Sequence, residues 1–190
     1  MNSSALPLRR INVPLSLAHA ETRPVTRVSP ADPAVTVFTD FAKTAVFSIG
    51  EDAGIDQSLL YMKAVGVRFL FVRDASNALV GLVTTTDIQG EKPLRYIQAT
   101  HCTRADLLVK HVMTPVGSWE VIDYFEVERA KVSQVVDSFK AVGRRHLVVV
   151  ENALVRGIFS ATRVEKALGI QLDIVRTARS FAEIETAVMH

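Results

Sequence analysis

The sequence is poor in cysteine and has almost no surplus of either charge. Cys102 is its only cysteine, so no disulfide can form within the chain and a disulfide-stabilised scaffold is excluded. Scarce cysteine is typical of a reducing compartment, and we therefore expect a cytoplasmic location. The 22 basic and 20 acidic residues leave a formal net charge of +2, which argues against nucleic acid or an anionic membrane as the main partner.

Long apolar runs are also absent. The longest, at 69–72 and 147–150, are far shorter than the roughly 18 residues that a membrane-spanning helix requires. Residues 11–20 imitate a signal peptide only faintly, because Asn12 and Pro14 interrupt the apolar stretch. The sequence therefore predicts no association with a membrane.

Motifs for catalysis and metal binding are missing as well. The sequence has no phosphate loop of the Lys-Ser/Thr type, no Gly-x-Ser-x-Gly and no His-Glu-x-x-His. Cys102 and the adjacent His101 would point in different directions on any regular element, so they do not form a catalytic pair. Together with His111 they do not match the spacing of a closed zinc site. We predict that the protein is not an enzyme and requires no metal or cofactor.

Apolar residues are abundant, and proline is concentrated near the start. Hydrophobic residues make up 48% and the mean hydropathy is +0.22, which is enough to bury a sizeable core. Five of the seven prolines lie within 1–33, a density that favours neither a helix nor a central strand. We predict that 1–40 forms an arm. Alternation at 11–17 leaves two options open, a disordered arm or a short extended piece packed on the body or on a second subunit.

An internal repeat determines the architecture of the rest. The tetrapeptide Lys-Ala-Val-Gly occurs at 63–66 and again at 140–143, and the match continues from 79–87 into 155–163. In each copy a helical pattern stops at a glycine, which is suited to a left-handed cap, and two apolar runs joined by a polar turn follow. Each repeat is therefore predicted to be a helix followed by a β-hairpin.

A hydroxyl residue ends each hairpin where another helix should begin. Thr84 and Ser160 occupy these positions, and their side chains can accept otherwise free amide protons as N-caps. Ser180-x-x-Glu183 is a capping box that predicts a last helix reaching about Met189. The predicted segments are thus the arm at 1–40, the first repeat at 41–106, the second repeat at 107–170 and a C-terminal helical extension at 171–190.

Two motifs within this series resemble the CBS domain (cystathionine β-synthase domain). The stretch 81–88, GLVTTTDI, is similar to the family's Gly-h-h-Thr/Ser-x-x-Asp ligand motif, and 112–115, VMTP, is similar to the opening of a second repeat. The resemblance covers roughly 43–169. It implies an α/β fold of two βαββα repeats related by a pseudo-twofold axis, a tandem pair that is called a Bateman module.

The resemblance also implies a ligand, since family members bind AMP, ADP, ATP or S-adenosylmethionine between their repeats. Asp87 would accept both hydroxyl protons of a ribose, and Thr84 would donate its hydroxyl to phosphate or ribose. The same two residues could instead serve only as a helix cap with a favourable charge on the helix dipole.

The second repeat is expected to contribute unequally. Arg145 and His146 lie where the family places phosphate contacts, although a solvated basic loop is the alternative. Ser160 is interpreted as the remnant of a second ligand site, because the position that matches Asp87 is Arg163, which only donates hydrogen bonds. The opening strand of the second repeat, matched with 46–48 of the first, would approach the base or phosphate. The candidate ligand-binding residues are Thr84, Asp87, Arg145, His146, Ser160, Thr114 and Pro115.

Three functions are compatible with these patterns. The first is a stand-alone regulatory module that binds an adenosine-containing ligand and passes its occupancy to an unknown regulated protein. The second is a ligand-free homodimerisation or protein-interaction module. The third, which the small net charge disfavours, is a nucleic-acid-binding CBS protein. A homodimer is expected in the first two cases.

Overall fold

Two four-stranded sheets flanked by helices account for residues 27–174, the part of the chain that this computed structural model describes. The strands, in chain order, are β1 (Thr39–Asp40), β2 (Ser48–Gly50), β3 (Phe69–Arg73), β4 (Leu79–Thr84), β5 (Thr114–Pro115), β6 (Val121–Asp123), β7 (His146–Glu151) and β8 (Leu154–Ser160). The helices are α1 (Ile55–Ala64), α2 (Thr85–Gln89), α3 (Glu91–Thr100), α4 (Val109–Val112), α5 (Tyr124–Arg129), α6 (Val132–Val142) and α7 (Ala161–Leu168). Within this range no helix is long and apolar enough to cross a membrane.

The two sheets repeat one pattern of strand pairing. In the first, β2 pairs parallel with β3, and β3 pairs antiparallel with β4. In the second, β6 pairs parallel with β7, and β7 pairs antiparallel with β8. Both hairpins even carry an irregularity at the same place, after Val72 and after Val149. The predicted α/β class with two repeated units is confirmed.

The glycines that close α1 and α6 adopt the predicted backbone conformation. Gly66 has φ +72° and Gly143 has φ +66°, both in the left-handed region that side chains disfavour. The Gly143 amide donates to the carbonyl of Phe139, which ends α6. The chain therefore leaves the helix at the same point of each repeat and enters a central strand.

Each sheet is completed by a two-residue strand from the other half of the chain. β1 pairs with β8, and β5 pairs with β4. The interpretation of 46–48 as the counterpart of the second repeat's opening strand is wrong, because β1 and β5 occupy the equivalent edges, each opposite a glycine, Gly157 or Gly81. A strand of two residues is too short to show an alternation of apolar and polar residues. Its position in the sheet therefore depends on the strand with which it pairs.

Part of the predicted arm belongs to the second unit. The Val28 amide donates to the carbonyl of Ala167, and the Ala34 amide donates to the carbonyl of Ala130. Ala34 and Val37 are fully buried in the core of that unit. From residue 27 onward the segment is therefore packed structure. The remaining arm at 1–26 and the predicted helix with Ser180 and Glu183 lie outside the described residues.

Three apolar clusters hold the described chain together. One fills the first unit around Met62 and Ile88, and a second fills the other unit around Phe139. The third lies between the sheets, where side chains of β3 and β4 pack against those of β7 and β8. Its buried members are Phe71, Leu82, Val148 and Ile158. The third cluster joins the two units and therefore fixes the position of one sheet relative to the other.

Candidate functional site

A cleft of about 660 Å³ lies where the two units meet. One wall is the end of β4 with the start of α2, another is β5 with the turn after it, and the third is the loop 143–146 of the second unit. The cleft brings together all seven residues predicted to bind a ligand, namely Thr84, Asp87, Thr114, Pro115, Arg145, His146 and Ser160. The sequence motifs thus converge on one place, and the role of each residue in binding stays a prediction.

Thr84 and Asp87 form a reciprocal capping box at the start of α2. The backbone amide and the hydroxyl of Thr84 both donate to Oδ2 of Asp87, at 2.9 and 2.7 Å. The Asp87 amide donates in return to the Thr84 hydroxyl oxygen at 3.1 Å. Thr84 and Asp87 therefore form the helix cap that was predicted as one alternative. The cap uses Oδ2 of the carboxylate and does not involve Oδ1.

Lys92 contacts that second carboxylate oxygen, and sequence analysis missed it. Its ammonium lies 2.6 Å from Oδ1 of Asp87 and also donates to the carbonyl of Val112 at 2.8 Å. A longer contact of 3.4 Å reaches the hydroxyl of Thr114. A lysine five positions after Asp87 has no pattern that distinguishes it, because the contact depends on where α3 begins.

His146 lies beside Phe69, with ring centroids 5.5 Å apart. Burial, opposed by the charge of Asp87 and assisted by that of Arg145, lowers the pKa of His146 to about 4. The imidazole is therefore neutral at physiological pH. It can contact a phosphate only as a neutral hydrogen-bond donor, and its role as a phosphate contact stays a prediction.

The depressed pKa of His146 predicts an acid-sensitive fold. The unfolded chain binds a proton near pH 6.5 and the folded chain near pH 4, so stability falls as pH drops through this window and is fully present above it. We expect His146→Gln to remove about 2–3 kcal/mol of this pH-dependent loss. Urea unfolding at pH 7 and pH 4.5 measures it, with His101→Asn at an exposed position as the matched control. Equal losses in the wild-type and His146→Gln proteins would contradict the burial argument.

The arginines around the cleft are engaged to different degrees. Arg145 contacts Glu165 of α7 at 2.7 Å, so part of its charge is already balanced. Arg144 and Arg68 line the same cleft, and no ion pair is seen for either of them among residues 27–174. Positive charge therefore comes from both units, with Arg68 and Arg145 at equivalent positions just before β3 and β7.

Ser160 caps α7 by position but not by hydrogen bonding. Its hydroxyl makes no bond to the first turn of the helix, unlike that of Thr84, so the expected cap bond is wrong. The difference has a local cause, since Arg163 stands where a carboxylate would complete the box. Ser160 lines the same cleft as Thr84 and Asp87, and it lies opposite His146 in the β7–β8 pairing.

Trp119, the single tryptophan, closes the apolar side of the cleft. Its indole N–H donates to the carbonyl of Thr114 at 3.1 Å, and its ring lies 6.2 Å from that of Phe71. Leu82 and Val148 line the cleft from the two sheets. Sequence analysis missed Trp119, although its position four residues after the Met-Thr-Pro motif was a usable signal. The cleft thus joins an apolar wall to a charged one.

The histidine and cysteine candidates away from the cleft are held by ordinary packing. His111 stacks on Tyr96 with ring centroids 4.3 Å apart. Cys102 accepts a hydrogen bond from the hydroxyl of Thr100 at 3.2 Å. Between residues 27 and 174 no three His, Cys, Asp or Glu side chains are grouped so that they could hold a metal ion.

Comparison with known proteins finds likeness in solved structures. No protein-family model and no curated protein matches the chain. A conserved protein from Pyrococcus horikoshii has a TM-score of 0.55 at 17% identity, over 80% of this chain and 100% of its own. A CBS-domain-containing protein from Agrobacterium tumefaciens has a TM-score of 0.51 at 21% identity, over 65% and 84% respectively. The CBS-pair protein CBSX2 from Arabidopsis thaliana, solved in complex with AMP, has a TM-score of 0.50 at 20% identity, over 72% and 95%.

Proposed function

We propose that this chain, which has the fold of a tandem CBS-domain pair, is a regulatory module that binds an adenine nucleotide in the cleft between its units. One observation carries the proposal. A half-buried carboxylate, an apolar wall and arginines from both units line a single cleft, as a ribose, a base and a phosphate would require. The AMP complex of CBSX2 supports the ligand class.

Each part of such a ligand has a complementary wall. The ribose hydroxyls would donate to the carboxylate of Asp87, which binds a diol better than a neutral acceptor. The base would lie against Trp119 and the apolar side chains near it. The phosphate would lie near Arg68 and Arg144, whose guanidinium groups have no ion pair among the described residues.

Regulation would follow from the position of the cleft. A ligand that contacts both units binds best at one relative arrangement of them, and it shifts the population toward that arrangement. A partner protein that distinguishes the arrangements would then respond to the nucleotide. We propose that the module acts in this way as a homodimer without catalytic activity of its own, in the cytoplasm.

Titration of the purified protein with AMP, ADP, ATP and S-adenosylmethionine tests the proposal. We expect about one ligand per chain, because the carboxylate of the motif has an arginine at the matching position of the second repeat. Intrinsic fluorescence should change during the same titration, since Trp119 lines the cleft. GMP and the Trp119→Phe variant are the matched controls for base preference and for the signal.

The opposite result would favour a different function. If folded protein, free of co-purified nucleotide, gives neither heat nor a fluorescence change with any of the four ligands, nucleotide binding is refuted. The protein would then be a ligand-free assembly module. Sedimentation over a range of concentrations would detect the self-association that this alternative requires.

A further inference from the structure

The ammonium of Lys92 connects three polar groups at the edge of the cleft. It contacts Oδ1 of Asp87 at 2.6 Å, the carbonyl of Val112 at 2.8 Å and the hydroxyl of Thr114 at 3.4 Å. These groups belong to α2, to the end of α4 and to β5. Lys92 therefore ties the motif of the first repeat to the opening strand of the second.

The carboxylate of Asp87 is already occupied at both oxygens. Oδ2 accepts the amide and hydroxyl protons of Thr84, and these bonds maintain the start of α2. Oδ1 accepts from Lys92. Each carboxylate oxygen accepts about two hydrogen bonds, and Thr84 already supplies both at Oδ2. A ribose that donates two hydroxyl protons therefore needs both acceptor sites of Oδ1, one of which Lys92 holds. The ribose and the lysine therefore require the same atom.

Lys92 is the partner that can leave. Its side chain is 41% exposed, whereas that of Asp87 is 14% exposed. A lysine stem is flexible and its ammonium is readily hydrated, so release into water is inexpensive, while Asp87 stays fixed by its capping box. Displacement of the lysine therefore requires no movement of α2.

We propose that Lys92 acts as an internal competitor for Asp87, which lowers the affinity of the cleft and weakens its selectivity for a ribose diol. The inference rests on the proposed function and assigns a positioning role to Lys92. Ligand entry exchanges the Lys92 contact for a hydroxyl of the ribose. Removal of the ammonium leaves Oδ1 free for the ligand from the start.

Titration of Lys92→Met with AMP and with 2′-deoxy-AMP tests this competition. We expect AMP to bind about two- to fivefold more tightly than to the wild-type protein, the range of a partly exposed ion pair. The preference for AMP over 2′-deoxy-AMP should also increase, because only a ligand with both ribose hydroxyls can use both acceptor sites of Oδ1. A purely structural role of Lys92 would not change this preference.

Two further variants complete the test. Arg95→Met removes an exposed ion pair with Glu91 on the same helix and should leave both affinities unchanged. Lys92→Arg retains the positive charge that competes for Oδ1, so AMP should bind no more tightly than to the wild-type protein. It also keeps the test valid if Lys92→Met does not fold.

The outcomes separate this inference from the proposed function. Unchanged or weaker AMP binding by Lys92→Met, with wild-type protein that does bind AMP, overturns the competition and leaves nucleotide binding intact. Absence of AMP binding by the wild-type protein refutes the proposed function itself.

Discussion

Replacement of Gly157 by alanine should lower the free energy of unfolding by about 2–4 kcal/mol, because overpacking at this position has no room to relax. A Cβ at Gly157 would overlap the ring of Phe38 and the carbonyl oxygen of Thr39. Phe38 is 7% exposed and lies in the core of the second unit. The carbonyl belongs to β1, so relief would require the edge strand to move away from β8.

Two other glycines provide matched controls. At the equivalent Gly81, a Cβ would meet the sulfur of Met113 at 2.6 Å and the carbonyl oxygen of Thr114 at 3.0 Å. Methionine can change rotamer, so Gly81→Ala should cost about 1 kcal/mol. At Gly50 nothing lies within 4 Å, and Gly50→Ala should be nearly neutral. Urea unfolding of the three variants should give this order, and equal midpoints would contradict the close approach of β1.

Replacement of Asp87 by alanine should weaken AMP binding by about tenfold to hundredfold, the range expected for loss of charge-assisted hydrogen bonds. The carboxylate is the only acidic group in the 81–88 motif, and Oδ1 is the atom available to a ribose once Lys92 has left. Isothermal titration with AMP measures the loss. The circular dichroism spectrum of the variant must match that of the wild-type protein.

The chain contains a second capping box that serves as the control. Thr103 and Asp106 repeat the Thr84 and Asp87 geometry, with the amide and hydroxyl of Thr103 donating to Oδ2 of Asp106 at 2.9 and 2.6 Å. This box lies outside the cleft. Asp106→Ala should therefore affect the local helix cap and leave AMP binding intact. Wild-type affinity in Asp87→Ala would reduce Thr84 and Asp87 to a cap alone.

The repeated hairpins could be predicted from the sequence because their signals are local. The apolar periods, the glycines at Gly66 and Gly143 and the polar turns all lie within a few residues of the elements they define. The edge strands β1 and β5 could not be predicted in the same way. Each is two residues long, and each pairs with a strand from the other half of the chain.

The residues of the candidate site also differ in whether local sequence signals could predict them. The eight-residue motif predicted Thr84 and Asp87, and the resemblance to the family predicted their neighbours across the cleft. Lys92 and Trp119 were missed because their contacts depend on how α3 and the turn after β5 are oriented. The neutral state of His146 could not be predicted either. His146 is the first residue of β7, and the sequence does not show how deeply a residue at that position is buried.

The exchanged edge strands have a consequence for synthesis on the ribosome. Thr39 is translated well before its partner Ile158. Until then Val37 and Phe38, which belong to the core of the second unit, have no complete surface to bury against. The nascent chain must therefore carry an open apolar edge until β8 has been made, and an edge of this kind is prone to aggregation.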